Sequence, residues 1–231
     1  MLASLESMEL HPLLKDMKNI FNKPYEIENE SMRIIEGELR DSPSFHMERF
    51  SEAELAVIKR VIHASADFEF AENIRFVGDV GAVLGFPGTV ISDTNMILAG
   101  VSKPALSKLA MEAVCFMGEP EVAKVAKEKG ITRAVASMER AVSLYPEGIY
   151  LIGNAPTALI RLCELIEEGK ARPSLVVGVP VGFVNVVESK EYALSVCSEH
   201  GVPTMISMGR KGGSTIAVAA MNALLYRAAG R

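Results

Sequence analysis

Apolar and polar positions alternate most regularly in the last third of the chain. Three short apolar runs there each end in a glycine-rich corner, and apolar residues at helical spacing follow each corner. We call these the first, second and third corners: Ile152–Thr157, Gly178–Gly182 and Gly209–Ser214. The pattern predicts three strand–helix pairs, with strands at 148–152, 174–179 and 203–207 and helices at 155–168, 188–200 and 213–226.

Strand, corner and helix in regular succession are typical of an α/β fold. Parallel strands joined by helical crossovers form a sheet that is covered by helices on both faces. Ligands of such sheets bind at the carboxyl ends of the strands, which is where the three corners lie. The last third of the chain therefore predicts where the functional site is.

The first half of the chain carries weaker signals. Ser51 and Glu54 form a capping box, which predicts a helix that ends near Ala66. The other predicted elements are helices at 28–39, 77–84, 119–128 and 131–143 and strands at 88–92 and 112–117. Residues 1–25 are expected to form a loosely attached arm, and residues 26–231 a single α/β domain.

Composition narrows the function classes. The 231 residues carry a net charge of −5, which argues against a general nucleic-acid binder. No apolar segment reaches the roughly 20 residues of a membrane span, so no membrane partner is expected. Cys115, Cys163 and Cys197 are odd in number and widely spaced, which predicts buried free thiols in a reducing cytoplasm. No histidine stands at ligand spacing from a cysteine, so no metal site is predicted.

The third corner is a candidate anion site. Arg210 and Lys211 supply positive charge, and the backbone N–H groups of Gly212 and Gly213 lie where a helix begins at Ser214. A helix start of this kind favours a carboxylate or a phosphate. The alternative is a plain glycine-rich turn with two solvated charges. No nucleotide-binding motif is present, so a nucleotide is not specifically indicated.

Two further groups of polar residues are candidates for the site. His63 lies three residues after Arg60 on the capped helix, so the pair is suited to bind an acid and offer it a proton. The alternative is a surface histidine on a helix flank. Asp93, Thr94 and Asn154 follow predicted strands, where they either cap helices or line the crevice.

Several sequence blocks occur in the same order in a known family. The chain resembles the precorrin-8X methylmutase family, including its cobalt-precorrin-8 form, from about Glu26 to Leu225. The blocks are Arg60–Ala64, Ser92–Met96, Ile152–Leu159, Gly178–Val184, Glu188–Lys190 and Gly209–Ser214. Two positions depart from the family pattern, since Met208 stands where many members carry arginine and Asn95 where many carry an acid.

The resemblance implies a fold and a reaction. It implies a three-layer α/β/α sandwich with a mostly parallel, Rossmann-like sheet, and a homodimer with its site near the subunit interface. The implied reaction moves a methyl group from C-11 to C-12 of a ring-contracted tetrapyrrole, giving hydrogenobyrinic or cobyrinic acid without a cofactor. It also implies that His63 is the catalytic proton donor and that Ser31 and Arg60 bind substrate. A non-catalytic corrinoid carrier and, less favoured, a generic phosphate-binding enzyme stay open as alternatives.

Overall fold

A six-stranded sheet forms the middle layer of the structure, a computed structural model that describes residues 24–82 and 88–230. The strands are β1 (Ile74–Val77), β2 (Thr89–Ser92), β3 (Glu112–Val114), β4 (Ile149–Ile152), β5 (Leu175–Gly178) and β6 (Thr204–Ser207). They lie in the order β1-β6-β5-β4-β2-β3. Five strands are parallel, and β1 pairs antiparallel with β6 at one edge.

Helices flank the sheet on both sides. In chain order they are α1 (Pro24–Asp41), α2 (Glu52–Ser65), α3 (Glu69–Asn73), α4 (Asn95–Gly100), α5 (Lys103–Lys108), α6 (Pro120–Lys129), α7 (Arg133–Leu144), α8 (Pro156–Glu167), α9 (Val186–Glu199) and α10 (Ser214–Ala228). A short 3-10 helix covers Met47–Arg49. The predicted N-terminal arm lies outside the described residues, apart from the start of α1.

Two hydrophobic clusters fill the spaces between the three layers. One joins the sheet to α1–α5 and α10, and the other joins it to α6–α9. On β4, Ile149 and Leu151 belong to the first cluster, whereas Tyr150 and Ile152 belong to the second. Successive side chains of a strand point to opposite faces, so a strand that is buried on both faces reads as one unbroken apolar run. The predicted α/β/α sandwich is confirmed.

The strands and helices predicted for the last third are confirmed within two residues at most ends. The helix predicted at 77–84 is wrong, because Val77 ends β1 by pairing with Thr204 and Gly78 then turns the chain at a φ of 65°. Its last two residues lie outside the described ranges. The partner strand of β1 lies far along the chain, so local spacing does not reveal the pairing.

The cysteines agree in part with the expectation from composition. All three cysteines are free thiols; Cys163 and Cys197 are buried as predicted, whereas Cys115 is only half-buried. Burial raises the pKa of the Cys197 thiol to about 11. Within residues 24–82 and 88–230, no helix is long and apolar enough to span a bilayer.

Candidate functional site

Several predicted site residues lie together at the end of the sheet where the parallel strands have their carboxyl termini. The chain runs from β2 outward to β3, then crosses back to β4 and continues through β5 and β6 in the opposite direction. The switch point therefore lies between β2 and β4, where open α/β sheets bind their ligands. Asp93 and Thr94 follow β2 at this point, and Asn154 follows β4. The Asn154 side chain is exposed there.

The Asp93 carboxylate organises the first corner. It is 1% exposed and accepts hydrogen bonds from the backbone N–H groups of Gly153 (3.0 Å), Asn154 (2.8 Å) and Ala155 (2.8 Å). Burial raises the pKa of the Asp93 carboxyl, and the three N–H donors oppose that rise. The Asp93 carboxylate thus holds the first corner in place through its backbone N–H groups. Asn154 is not a helix cap, since Ala155 occupies the N-cap of α8.

The three corners pack against one another through their glycines. A Cβ atom on Gly153 would lie 2.9 Å from Ser214 Cα, and one on Gly212 would lie 2.2 Å from the carbonyl oxygen of Val179. Only glycine permits this approach of backbone to backbone. The Gly213 N–H donates to Val179 O at 2.8 Å. This N–H group is therefore already bonded, which corrects the expectation that both glycine amides face a ligand.

The start of α10 still offers backbone donors. Gly213 is the N-cap with a φ of 120°, and no side chain caps the helix. The Ser214 hydroxyl instead lies 3.2 Å from the Thr94 hydroxyl, which in turn accepts from Ile97 N and caps α4. In the described part of the chain, the N–H groups of Ser214 and Thr215 have no acceptor. The positive end of this fifteen-residue helix therefore faces the crevice with free donors.

The two cations of the third corner have different surroundings. Lys211 Nζ lies 2.6 Å from Asp67 Oδ2 and 2.8 Å from Glu69 Oε2. These hydrogen bonds hold the pKa of the Lys211 ammonium above its ordinary value, and the same contact lowers the pKa of Asp67. Arg210 is exposed, and its guanidinium lies 5.6 Å from the ring centroid of Phe183, the residue after the second corner. Arg210 is thus free to bind an acid, whereas Lys211 can bind one only by giving up or sharing its contact with Asp67 or Glu69.

His63 lies in the last turn of α2, whose predicted capping box is present. Ser51 Oγ accepts from Glu54 N, and Glu54 accepts from Ser51 N at 2.7 Å. The helix ends at the left-handed Ala66, also as predicted. His63 is exposed, and within residues 24–82 and 88–230 no hydrogen bond or ion pair engages its imidazole. Asp67, which binds Lys211 of the third corner, is four residues further on. Four residues of chain span at most about 14 Å, so the Cα atoms of His63 and Asp67 are no further apart than that.

Arg60 lies one turn before His63, between two neighbouring helices. Its guanidinium lies 2.7 Å from Glu28 Oε1 on α1 and 5.4 Å from the ring centroid of Tyr226 on α10. Arg60 and Tyr226 line a groove of about 630 Å³ between these helices. Ser31 lies on α1 with its hydroxyl donating to Ile27 O at 2.9 Å. Arg60 therefore has a cavity in front of it and one carboxylate already bound.

The structure thus brings the predicted residues into two sets that meet at α2. One set lies at the sheet edge and comprises Asp93, Thr94, Asn154, Arg210, Lys211, Gly212, Gly213 and Ser214. The other comprises Ser31, Arg60 and His63 on α1 and α2. A second cavity, of about 700 Å³, lies at the opposite edge of the sheet beside Gly148 and Pro203 and contains none of these residues.

Sequence reasoning missed three features of the site. Asp67 and Glu69 belong to no motif in the sequence, yet both bind Lys211. Lys190 was noticed only as part of a sequence block, yet it is buried beneath the third corner. The available signal was that the residues three and four positions away on the same helix face are apolar: Val186, Val187, Ala193 and Leu194. Across the described residues, no group of three or more His, Cys, Asp or Glu side chains is arranged to hold a metal ion.

Comparison with known proteins gives a consistent result. The family model described as precorrin-8X methylmutase matches residues 26–227. The cobalt-precorrin-8 methylmutase of Priestia megaterium is 38% identical over 213 residues, which cover 90% of each chain. That of Methanothermobacter thermautotrophicus is 40% identical over 205 residues, covering 87% of this chain and 92% of its own. A crystal structure of the precorrin-8X methylmutase from Thermus thermophilus matches with a TM-score of 0.76 and 41% identity, covering 89% of this chain and 97% of that one.

Proposed function

Since the chain belongs to the precorrin-8X methylmutase family, we propose that it moves a methyl group from C-11 to C-12 of precorrin-8X or its cobalt form. It is an isomerase of cobalamin biosynthesis. The products of this shift are hydrogenobyrinic acid and cobyrinic acid. The metal-free and cobalt-containing substrates carry the same acidic rim, and cobalt, where present, belongs to the substrate.

The proposed reaction needs an acid but no oxidant or reductant. The bond between C-11 and the methyl carbon breaks and the bond to C-12 forms, so substrate and product contain the same atoms. His63 lends a proton to a ring nitrogen during the shift and recovers it afterwards. A positioned proton donor typically contributes about 10²–10⁴ in rate.

The observation that carries this proposal is the state of the His63 imidazole. It is exposed, and no described residue engages it. The helix that bears it is held against the third corner by the ion pair between Asp67 and Lys211. His63 is therefore an unengaged imidazole on a helix that is tied to a corner suited to an acid.

Positive groups lie along α10, with Arg60 beside its last turns and Arg210 and Lys211 at its start. Arg60, Arg210, Lys211 and the N–H groups at the start of α10 are the donors that a carboxylate rim would meet. Glu28 already occupies Arg60, and Asp67 and Glu69 occupy Lys211. We propose that carboxylates of the substrate replace or share these internal partners on binding.

A second copy of the chain is the proposed partner protein. Phe183 is 84% exposed and Val184 78% exposed just after the second corner, and Met96 is 68% exposed at the start of α4. Exposed apolar side chains of this size at one edge are typical of an interface. A homodimer in which this edge is covered predicts a particle of twice the chain mass by light scattering. The three free thiols support the cytoplasm as its compartment, and residues 26–231 are proposed to form one domain.

Turnover with absorption detection tests the proposed function. The protein is mixed with excess precorrin-8X, or with its cobalt form, and the spectrum is followed. An isomerase converts many equivalents per protein, whereas a corrinoid carrier changes the spectrum only in proportion to protein. A spectrum that stops changing after one equivalent with both substrates would contradict the proposal and favour the carrier.

Replacement of His63 tests its assigned role. His63→Ala is expected to lower kcat by about 10²–10⁴ while retaining product binding. His200→Ala is the matched control, because His200 is also exposed but lies at the end of α9, at the opposite edge of the sheet. Equal turnover of the two variants would remove His63 from the mechanism.

A further inference from the structure

Lys190 is a fully buried cation beneath the third corner. Its side chain extends from α9, and the residue is 0% exposed. The ammonium donates to the carbonyl oxygen of Gly209 at 2.8 Å and to that of Lys211 at 2.7 Å. Ser207 Oγ donates to the same Lys211 carbonyl at 3.0 Å. Both ends of the Gly209–Lys211 segment are therefore held from inside the protein.

No acidic side chain balances this charge in the described residues. Lys190 makes no ion pair within 24–82 and 88–230. The charged side chains of the corner above it are Arg210 and Lys211, which have the same sign, and Asp67 and Glu69 lie against Lys211. The neighbouring acids of its own helix, at 188 and 191, form no ion pair with it. Burial accordingly lowers the pKa of the Lys190 ammonium to about 8.

An unpaired buried ammonium destabilises the folded state of a protein. Removing such a charge from water costs several kcal/mol unless an opposite charge compensates it. A side-chain amide, whose NH₂ group carries two donors, could hold the same two carbonyl oxygens without that penalty. Holding the turn therefore does not by itself explain why the side chain at this position is charged.

The ammonium lies directly behind the candidate anion site. Because the two carbonyl oxygens point inward to Lys190, the side chains of Arg210 and Lys211 emerge on the outer side of the corner. The free N–H groups of Ser214 and Thr215 begin the next helix there. An anion bound at this corner would meet these donors with a buried positive charge directly behind them.

We infer that Lys190 is a positioning residue of the substrate site whose missing counter-charge is supplied by a carboxylate of the bound substrate. It fixes the third corner in the conformation that receives the acid, and it adds positive potential from below. The inference rests on the proposed function, because it takes the acidic tetrapyrrole as the anion. Lys190 touches neither the ring nor the methyl group, so its effect is on binding.

Steady-state kinetics of two variants test the inference. Lys190→Gln keeps a hydrogen-bond donor but removes the charge, and Lys190→Met removes both. Both are expected to raise KM about tenfold or more, with kcat changed less than about threefold, as for a lost charge-assisted contact. Lys108→Met is the matched control, because Lys108 also donates to a backbone carbonyl, that of Ala229, away from the crevice. Wild-type KM in folded Lys190→Gln would overturn the inference, since a merely structural lysine would lower only the melting temperature.

Proton uptake provides a second test that needs no Lys190 variant to fold. The His63→Ala protein is titrated with product at pH 8.5 by calorimetry, in two buffers of different ionisation enthalpy. Negative charge near Lys190 restores its proton, so uptake on the order of half a proton per site is expected. Lys211 does not contribute, because its pKa is already raised. Product binding without proton uptake would overturn the inference. A wild-type protein that changes only one equivalent of substrate would contradict the proposed function, and turnover by His63→Ala would contradict only the role of His63; neither result bears on proton uptake at Lys190.

Discussion

Replacing Gly212 with alanine tests how the glycine corners build the crevice. The added Cβ would lie 2.2 Å from Val179 O and 2.8 Å from Pro180 O. An ordinary carbon–oxygen contact is about 3.3 Å or longer, so the first contact is too short by about 1.1 Å. Both opposing atoms belong to the backbone, so no side chain can turn aside. The third corner must shift by about that distance, or the Val179 carbonyl must rotate.

Either movement breaks a buried hydrogen bond. Val179 O accepts from Gly213 N at 2.8 Å, so rotation of this carbonyl leaves a backbone donor unpaired. Overpacking costs about 1–3 kcal/mol, and an unsatisfied buried group costs about as much again. Together they predict a loss of about 2–6 kcal/mol, which for a chain of this size lowers the melting temperature by about 4–24 °C. A 1 Å displacement of the corner is also expected to reduce kcat/KM by up to about 10².

Differential scanning fluorimetry and the absorption assay measure both effects. Gly37→Ala is the matched control, because a Cβ on Gly37 meets no atom within 4 Å and Gly37 lies inside α1. That variant should gain about 0.5–1 kcal/mol from helix propensity. If Gly212→Ala melts and turns over like the wild type, the close packing of the corners does not shape the site.

Three other changes probe the surrounding contacts. Arg60→Met is expected to raise KM about 10–100-fold in steady-state assays, because a charge-assisted contact to a substrate carboxylate is lost; unchanged KM would exclude that contact. Asp93→Asn leaves at least one of three backbone N–H groups facing an amide NH₂, so thermal melts should fall by about 3–10 °C, and an unchanged melt would show that the carboxylate is dispensable. Asp67→Asn should lower the melting temperature by about 1–3 °C at pH 7, because Lys211 holds the folded pKa of Asp67 below 3.8. That difference should disappear as the pH falls through the folded value, where Asp67 becomes protonated in both states, and a difference that persisted there would rule out the ion pair as its source.

Local sequence signals predicted the strands and helices well where the signal lies within a single element. Ile149–Ile152 is an unbroken apolar run because β4 is buried on both faces, and the corner after it marks where the strand ends. Ser51 and Glu54 likewise predicted the start of α2, since a capping box is complete within four residues. These contacts are short-range, so a single sequence is sufficient to reveal them.

The features that the sequence did not reveal depend on long-range contacts. The Asp93 carboxylate bonds to N–H groups of the first corner, about sixty residues later, so the sequence alone suggested a crevice residue. The four residues of β1 acquire their structure from β6, far along the chain. Lys190 reads as a solvated lysine on a helix until Gly209 and Lys211 are placed above it. Position in the fold, not residue type, decides the role of each.

Transfer of a labelled methyl group tests the central claim most directly. Precorrin-8X labelled with ¹³C at the C-11 methyl group is incubated with catalytic amounts of wild-type protein or the His63→Ala variant, and the signal is followed by NMR. The account predicts that the wild type moves the label to C-12 in many equivalents of substrate, while His63→Ala binds the substrate and leaves the label at C-11. A label that stays at C-11 with the wild type, or that moves equally fast with His63→Ala, would contradict it.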